Sequence, residues 1–157
     1  MQVVYYCFCI FAFMRYLKNI LFIALLFAGK FSVAQNPVNW TSDQLMQPEQ
    51  LAQLMQQKKP LPIILSVGPG ALIQHSIDIG PVQEKENLDK LKKQLSKLPK
   101  DTSVVVYCGC CPFEHCPNVR PAIQALKDMH FTNYKLLNLE HNLKKDWIDK
   151  GYPKVQQ

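Results

Sequence analysis

The 157-residue sequence has no internal repeat, no low-complexity tract and, beyond residue 34, no linker long enough to divide it. These absences exclude solenoid and multi-domain architectures, and a chain of this length buries one proper core without covalent staples. A basic stripe interleaved with aromatic residues is also missing. Of the 18 basic residues, Arg15, Lys18 and Lys30 lie before residue 35, which leaves 15 against 12 acidic residues, a net +3. So mild an excess gives nucleic-acid binding no support.

The longest apolar stretch with a basic lead, Ile20 to Ala28, is too short for a comfortable membrane span of about 20 residues. Met14-Arg-Tyr-Leu-Lys-Asn, that apolar stretch and Phe31-Ser-Val-Ala-Gln instead make the three parts of a secretory signal. Ser32 and Ala34 are the small residues before the cut, so cleavage is expected before Gln35. A basic region normally comes first. Met14 is therefore expected to be the true start, with Met1 to Phe13, including Cys7 and Cys9, an upstream extension. No cysteine stands immediately after the cut, which argues against a lipid anchor. The expectation is an exported protein, periplasmic or secreted and free of the membrane after cleavage, whose one domain occupies residues 35–157.

Every other cysteine falls within nine residues, Cys108-Gly-Cys-Cys-Pro-Phe-Glu-His-Cys116. Ser103-Val-Val-Val-Tyr before them reads as a buried strand, and Asn118 onward reads as a helix capped by Asn118, with Pro121 in its first turn. A strand–loop–helix unit aims loop amides and the positive end of the helix dipole at the strand's end, where Cys108 stands. With Arg120 nearby, a thiolate at Cys108 is expected to be favoured.

Along the rest of the chain, strands and helices alternate. Pro48 opens a helix with Leu51, Leu54 and Met55 on one face, ended by Lys58-Lys59-Pro60. Strands are expected over Pro62 to Val67, Ile73 to Ile79 and Tyr134 to Leu139, with helices over Gln83 to Leu98, Val119 to Met129 and Asn142 to Lys150, the last closed by Gly151. This alternation implies an α/β fold: a central parallel sheet with helices on both faces. His75, His130 and His141 read as surface or loop histidines, while Trp147 and Tyr152 are expected to pack the last helix onto the sheet.

In this order, Trp40-Thr-Ser-Asp-Gln-Leu, Ile63-Ile-Leu-Ser-Val, His75-Ser-Ile-Asp-Ile-Gly-Pro, Val105-Val-Tyr-Cys108 and Asp146-Trp-Ile-Asp-Lys-Gly-Tyr-Pro153 resemble a rhodanese-like domain. The resemblance implies a three-layer fold, no cofactor, and sulfurtransferase activity in which Cys108 carries a persulfide between a small sulfur donor and a thiol acceptor. Three departures stand out. Ser66-Val67-Gly68 replaces the acidic and basic residues that often follow the first core strand, His141-Asn142 replaces a glycine pair, and the loop from Cys108 to Arg120 is longer than the family's cradle.

The loop admits several chemistries. Cys108 and Arg120 can act as nucleophile and anion stabiliser, with Cys110, Cys111 or Cys116 resolving. Alternatively Cys108 or Cys111 can pair with Cys116 as a dithiol–disulfide couple. Cys108, Cys110, Cys111, His115 and Cys116 can hold Zn²⁺ or Cu(I), although C-x-C-C-x4-C is not a standard zinc spacing. A structural disulfide is the remaining reading. Phosphatase chemistry is set aside, because Arg120 follows Cys116 by four residues, not the six of a C-x5-R cradle. In an oxidising compartment, reduced cysteines need a partner such as a thioredoxin-like reductant.

Overall fold

The computed structural model describes residues 40–156. The expected signal, the start at Met14, the cleavage before Gln35 and residues Cys7 and Cys9 lie outside the described residues. Among the described residues no helix is long and apolar enough to cross a membrane.

The unbroken apolar run before the cysteines forms β4 (Val104–Tyr107), all four residues of which are buried. Such a run suits a strand covered on both faces. It lies at the centre of a five-stranded sheet with β1 (Leu45–Met46), β2 (Ile63–Ser66), β3 (Ser76–Asp78) and β5 (Tyr134–Leu137), in the order β1-β5-β4-β2-β3. All neighbours are parallel, and Val105 pairs with Ile64 on one side and Lys135 on the other.

Alternation along β4 divides the core in two. Val104, Val106 and Cys108 join Leu65, Val67 and Leu136 beneath α2 (Lys85–Leu95) and α3 (Val119–Asp128), which contribute Leu91, Leu95, Ile123 and Leu126. Val105 and Tyr107 face the other way with Ile64 and Leu137, against Leu51 and Ala52 of α1 (Pro48–Gln56) and against Trp147. The expected helix–sheet–helix layering is therefore present. The Tyr107 hydroxyl accepts the Ile73 N–H at 3.3 Å and bonds the Ser76 hydroxyl at 3.0 Å, which gives the buried ring a polar outlet.

Two elements depart most in form from what the periodicity implied. Over Ile73 to Ile79 only Ser76–Asp78 is strand, because His75 takes a left-handed φ of 65° that breaks the extended run. The expected helix over Asn142 to Lys150 is a π-helical turn, Lys144–Ile148, in which the Asp149 N–H reaches back five residues to the Lys144 carbonyl at 2.8 Å. Gly151 then reverses the chain at φ 70°. Trp147 is fully buried, donates from Nε1 to the Pro153 carbonyl at 2.9 Å and meets Tyr152 edge-on at 5.2 Å, as expected of a lock between last turn and sheet.

Asp146 fastens this turn. Its Oδ2 accepts the N–H groups of His141 at 2.7 Å and Asn142 at 3.1 Å, and Oδ1 lies 3.0 Å from His141 Nδ1. Burial pushes the carboxyl pKa up, but the hydrogen bonds from His141 and Asn142 outweigh it and hold the group below its ordinary value. A carboxyl with a lowered native pKa stabilises the fold above its unfolded pKa, about 3.9, and loses that contribution as pH falls through the native value. Asp146→Asn is expected to cost about 1–3 kcal/mol in denaturant melts at neutral pH. The difference from wild type should shrink in acid; a constant difference from neutral pH to below the native pKa would contradict this account.

Candidate functional site

Cys108 is the first residue past β4, and alternation turns its side chain into the α2/α3 layer, where the residue is 2% exposed. Just past the end of the neighbouring β2, a Cβ at Gly68 would collide with the Cys108 sulfur. Glycine leaves room for the thiol in its present position. The Ser66-Val67-Gly68 departure thus has a steric function.

The loop then folds back on itself. The Gly109 carbonyl accepts the Leu143 N–H at 3.1 Å, so close that a Cβ at Gly109 would lie 2.9 Å from Leu143 Cβ. Pro112 ends the outward path, and a 3₁₀ turn, Phe113–His115, drops the Phe113 ring into the core. The Cys116 N–H donates to the Phe113 carbonyl at 3.2 Å, and Arg120 clamps the turn from outside by donating to the Glu114 carbonyl at 3.1 Å. Cys116, 1% exposed, is thereby returned to Cys108.

The result is a cluster of four thiols. The sulfurs of Cys108, Cys110, Cys111 and Cys116 all lie within 4.8 Å of one another. Cys108 and Cys110 are 3.3 Å apart, and Cys110 and Cys111 are 3.4 Å apart. Burial falls from Cys108 and Cys116, which are enclosed, through Cys111 to the exposed Cys110. His115 is exposed and does not belong to the group.

The four thiols differ in acidity. Cys108 is held below the ordinary thiol pKa chiefly by the Cys116 thiol, with help from the Cys110 N–H, against the opposing effect of burial. Cys116 is pushed far up, first by Cys108 and then by burial, although the N–H groups of Asn118 and Val119 bond to it. Of this pair, Cys108 is the more acidic thiol. Burial raises Cys110 and Cys111 as well, so the anion belongs on Cys108.

Three expectations need adjustment. The first amides of α3 serve Cys116, not Cys108. Arg120 is half-buried, and its recorded hydrogen bond goes to the Glu114 carbonyl, which makes it a brace of the loop. Asn118 does not cap α3 with its side chain. It instead donates from Nδ2 to the Cys108 sulfur at 3.7 Å and accepts the Gln83 N–H at 3.1 Å, which ties the segment before α2 to the site. An asparagine before a helix signals a cap; nothing in its spacing reveals that a strand end and a distant loop compete for the amide. His75 and His130 are exposed, at φ 65° and 62° respectively. His141 is exposed too, but is paired with Asp146.

No family model matches the chain, and no curated protein matches it. Among solved structures it is similar to a protein from Lactobacillus plantarum, with 15% identity and a TM-score of 0.55 over 72% of this chain and 88% of that one. It is likewise similar to the Alr3790 protein from Anabaena sp., with 18% identity and a TM-score of 0.51 over 70% and 90% of the two chains. At such identities the likeness is one of fold. A parallel sheet in the order β1-β5-β4-β2-β3, helices on both faces and the cysteine loop at the end of its central strand complete the pattern. The fold is rhodanese-like. A rhodanese-related protein from Thermoplasma volcanium also aligns, at 20% identity and a TM-score of 0.48 over 73% of this chain and 99% of that one.

On this rhodanese-like scaffold, Cys116→Ala should move the alkylation of Cys108 by iodoacetamide to higher pH, because the group that most favours the Cys108 anion is removed. An unchanged pH profile in peptide mass spectrometry would refute this role of Cys116. Gly68→Ala should destabilise the fold by about 1–3 kcal/mol, since the Cys108 sulfur or the strand must move.

Proposed function

We propose that the protein is a sulfane-sulfur carrier of rhodanese type, in which Cys108 receives sulfur and Cys110 hands it on. The observation that carries this reading is the 3.3 Å approach of an enclosed sulfur, Cys108, to an exposed one, Cys110. In the first step the Cys108 thiolate attacks the outer sulfur of a donor such as thiosulfate. An S–S bond forms to Cys108, the donor's S–S bond breaks, and sulfite leaves with the electron pair, giving the persulfide Cys108–S–S⁻. The Asn118 amide, 3.7 Å from the sulfur, and the Cys110 N–H supply donors for the negative charge.

In the second step the Cys110 thiolate attacks the terminal sulfur of that persulfide. The Cys108 thiolate is regenerated and Cys110–S–S⁻ forms, with no net oxidation. An external thiol or cyanide then takes the sulfur from Cys110 at the surface. The division follows from exposure: Cys110 presents its sulfur at the surface, where a bulky acceptor can reach it. Cys111, half-buried and 3.4 Å from Cys110, is an accessory thiol on the same exit. A thioredoxin-like reductant keeps the loop thiols reduced in an exported setting, and the small donor and thiol acceptor are the other partners.

The test is intact mass and turnover. Reduced protein exposed to thiosulfate should gain about 32 Da, one sulfur atom, and Cys108→Ser should not. Cys110→Ser should load sulfur at Cys108 yet release it to an external thiol at least about tenfold more slowly, an increase in barrier of about 1.4 kcal/mol. Full thiosulfate-to-cyanide turnover by Cys108→Ser would overturn the assignment.

A further inference from the structure

A carrier needs one nucleophile and one exit, yet four sulfurs converge, so the cluster exceeds what sulfur transfer requires. We infer that Cys108, Cys110, Cys111 and Cys116 form a tetrathiolate site for a single thiophilic d¹⁰ cation, Zn²⁺ or Cu(I). The inference is independent of the transfer chemistry.

Four observations carry it. Zinc–thiolate bonds of about 2.3 Å put the sulfurs of a tetrahedral site about 3.8 Å apart. The sulfurs here lie within 4.8 Å of one another, with pairs at 3.3 and 3.4 Å, so only small side-chain adjustments separate this cluster from that geometry. The donor set is sulfur alone, which selects soft cations over Mg²⁺ or Ca²⁺. The Asn118 side-chain amide also donates to a ligand sulfur, that of Cys108, at 3.7 Å. Such a donor offsets excess negative charge of thiolates around one cation and helps fix ligand orientation. Finally, the loop is braced from three sides, by Leu143, Phe113 and Arg120, so the ligands are held together by the fold itself.

The irregular spacing is no obstacle. Adjacent cysteines are awkward partners for a disulfide with each other, but Cys110 and Cys111 already present their sulfurs to the same point. Binding converts thiols to coordinated thiolates and releases their protons to solvent, with no change in oxidation state. A bound cation holds Cys108 as a ligand and withdraws it from attack, so the metal-free protein is the transfer-competent form.

The experiment uses the full chain, reduced and metal-stripped under anaerobic conditions, with no sulfur donor present. Co²⁺ is added and its thiolate charge-transfer and tetrahedral absorption bands are followed. Zn²⁺ is then used to displace it, and Cu(I) is titrated separately against a chromophoric chelator. One ion per chain with a thiolate spectrum is expected for Co²⁺, together with displacement by Zn²⁺ or 1:1 capture of Cu(I). Cys110→Ser, a change at an exposed position, should weaken binding at least about tenfold while far-UV circular dichroism stays native. His115→Ala should leave affinity unchanged. Less than one ion per chain for every cation would overturn the inference, as would wild-type affinity in both Cys110→Ser and Cys111→Ser, or loss of binding in His115→Ala.

Discussion

Burial of β4 on both faces is the constraint on which the rest depends. A parallel strand sandwiched between helices has no freedom to tilt or slide without breaking two ladders, so the residue just beyond its C-terminal end is delivered to a fixed point. That residue is Cys108. Its sulfur fills the space left open at Gly68 and is bonded by Asn118 at the start of α3. Open α/β sheets present their crevices at the carboxyl ends of the strands, and the thiol cluster lies there.

The fold was largely legible in the sequence because its signals are local. The run Val104 to Tyr107 is apolar at every position, the leucines of α2 recur at helical spacing, and glycine or proline marks the turns, so period and punctuation agree. The failures are also instructive. His75 broke a strand that alternation favoured, because a left-handed residue leaves no trace in hydrophobic period. The last helix widened onto five-residue hydrogen bonds, with Asp146 and Trp147 bonded to His141 and Pro153 on either side of it, contacts that propensity does not register.

The site was legible as a place but not as a network. Strand, loop and helix in sequence located Cys108, and the crowding of cysteines identified the chemistry as thiol chemistry. What the sequence did not carry was direction. Arg120 and Asn118 stand only two residues apart in the chain. The arginine turns back to a loop carbonyl, while the asparagine reaches the sulfur. The reason is physical: a guanidinium placed beside buried apolar side chains pays desolvation, whereas a neutral amide enters at lower cost and satisfies both its ends there.

The gradient of burial across the four thiols is what links the two uses assigned to them. A purely structural metal site is normally closed, with no reason to leave a ligand at the surface. A lone nucleophile, conversely, does not require two enclosed sulfurs. Here Cys108 and Cys116 are enclosed and Cys110 is exposed, so one edge of the cluster can open while the other stays assembled. Exchange of a cation, or of a sulfur atom, therefore begins at Cys110, whose movement disturbs neither β4 nor α3. Cys116 has the opposite position: it is enclosed in the core, and its N–H is bonded to the Phe113 carbonyl. The cluster thus has a fixed half and a labile half, and the chemistry it performs is controlled from the labile side.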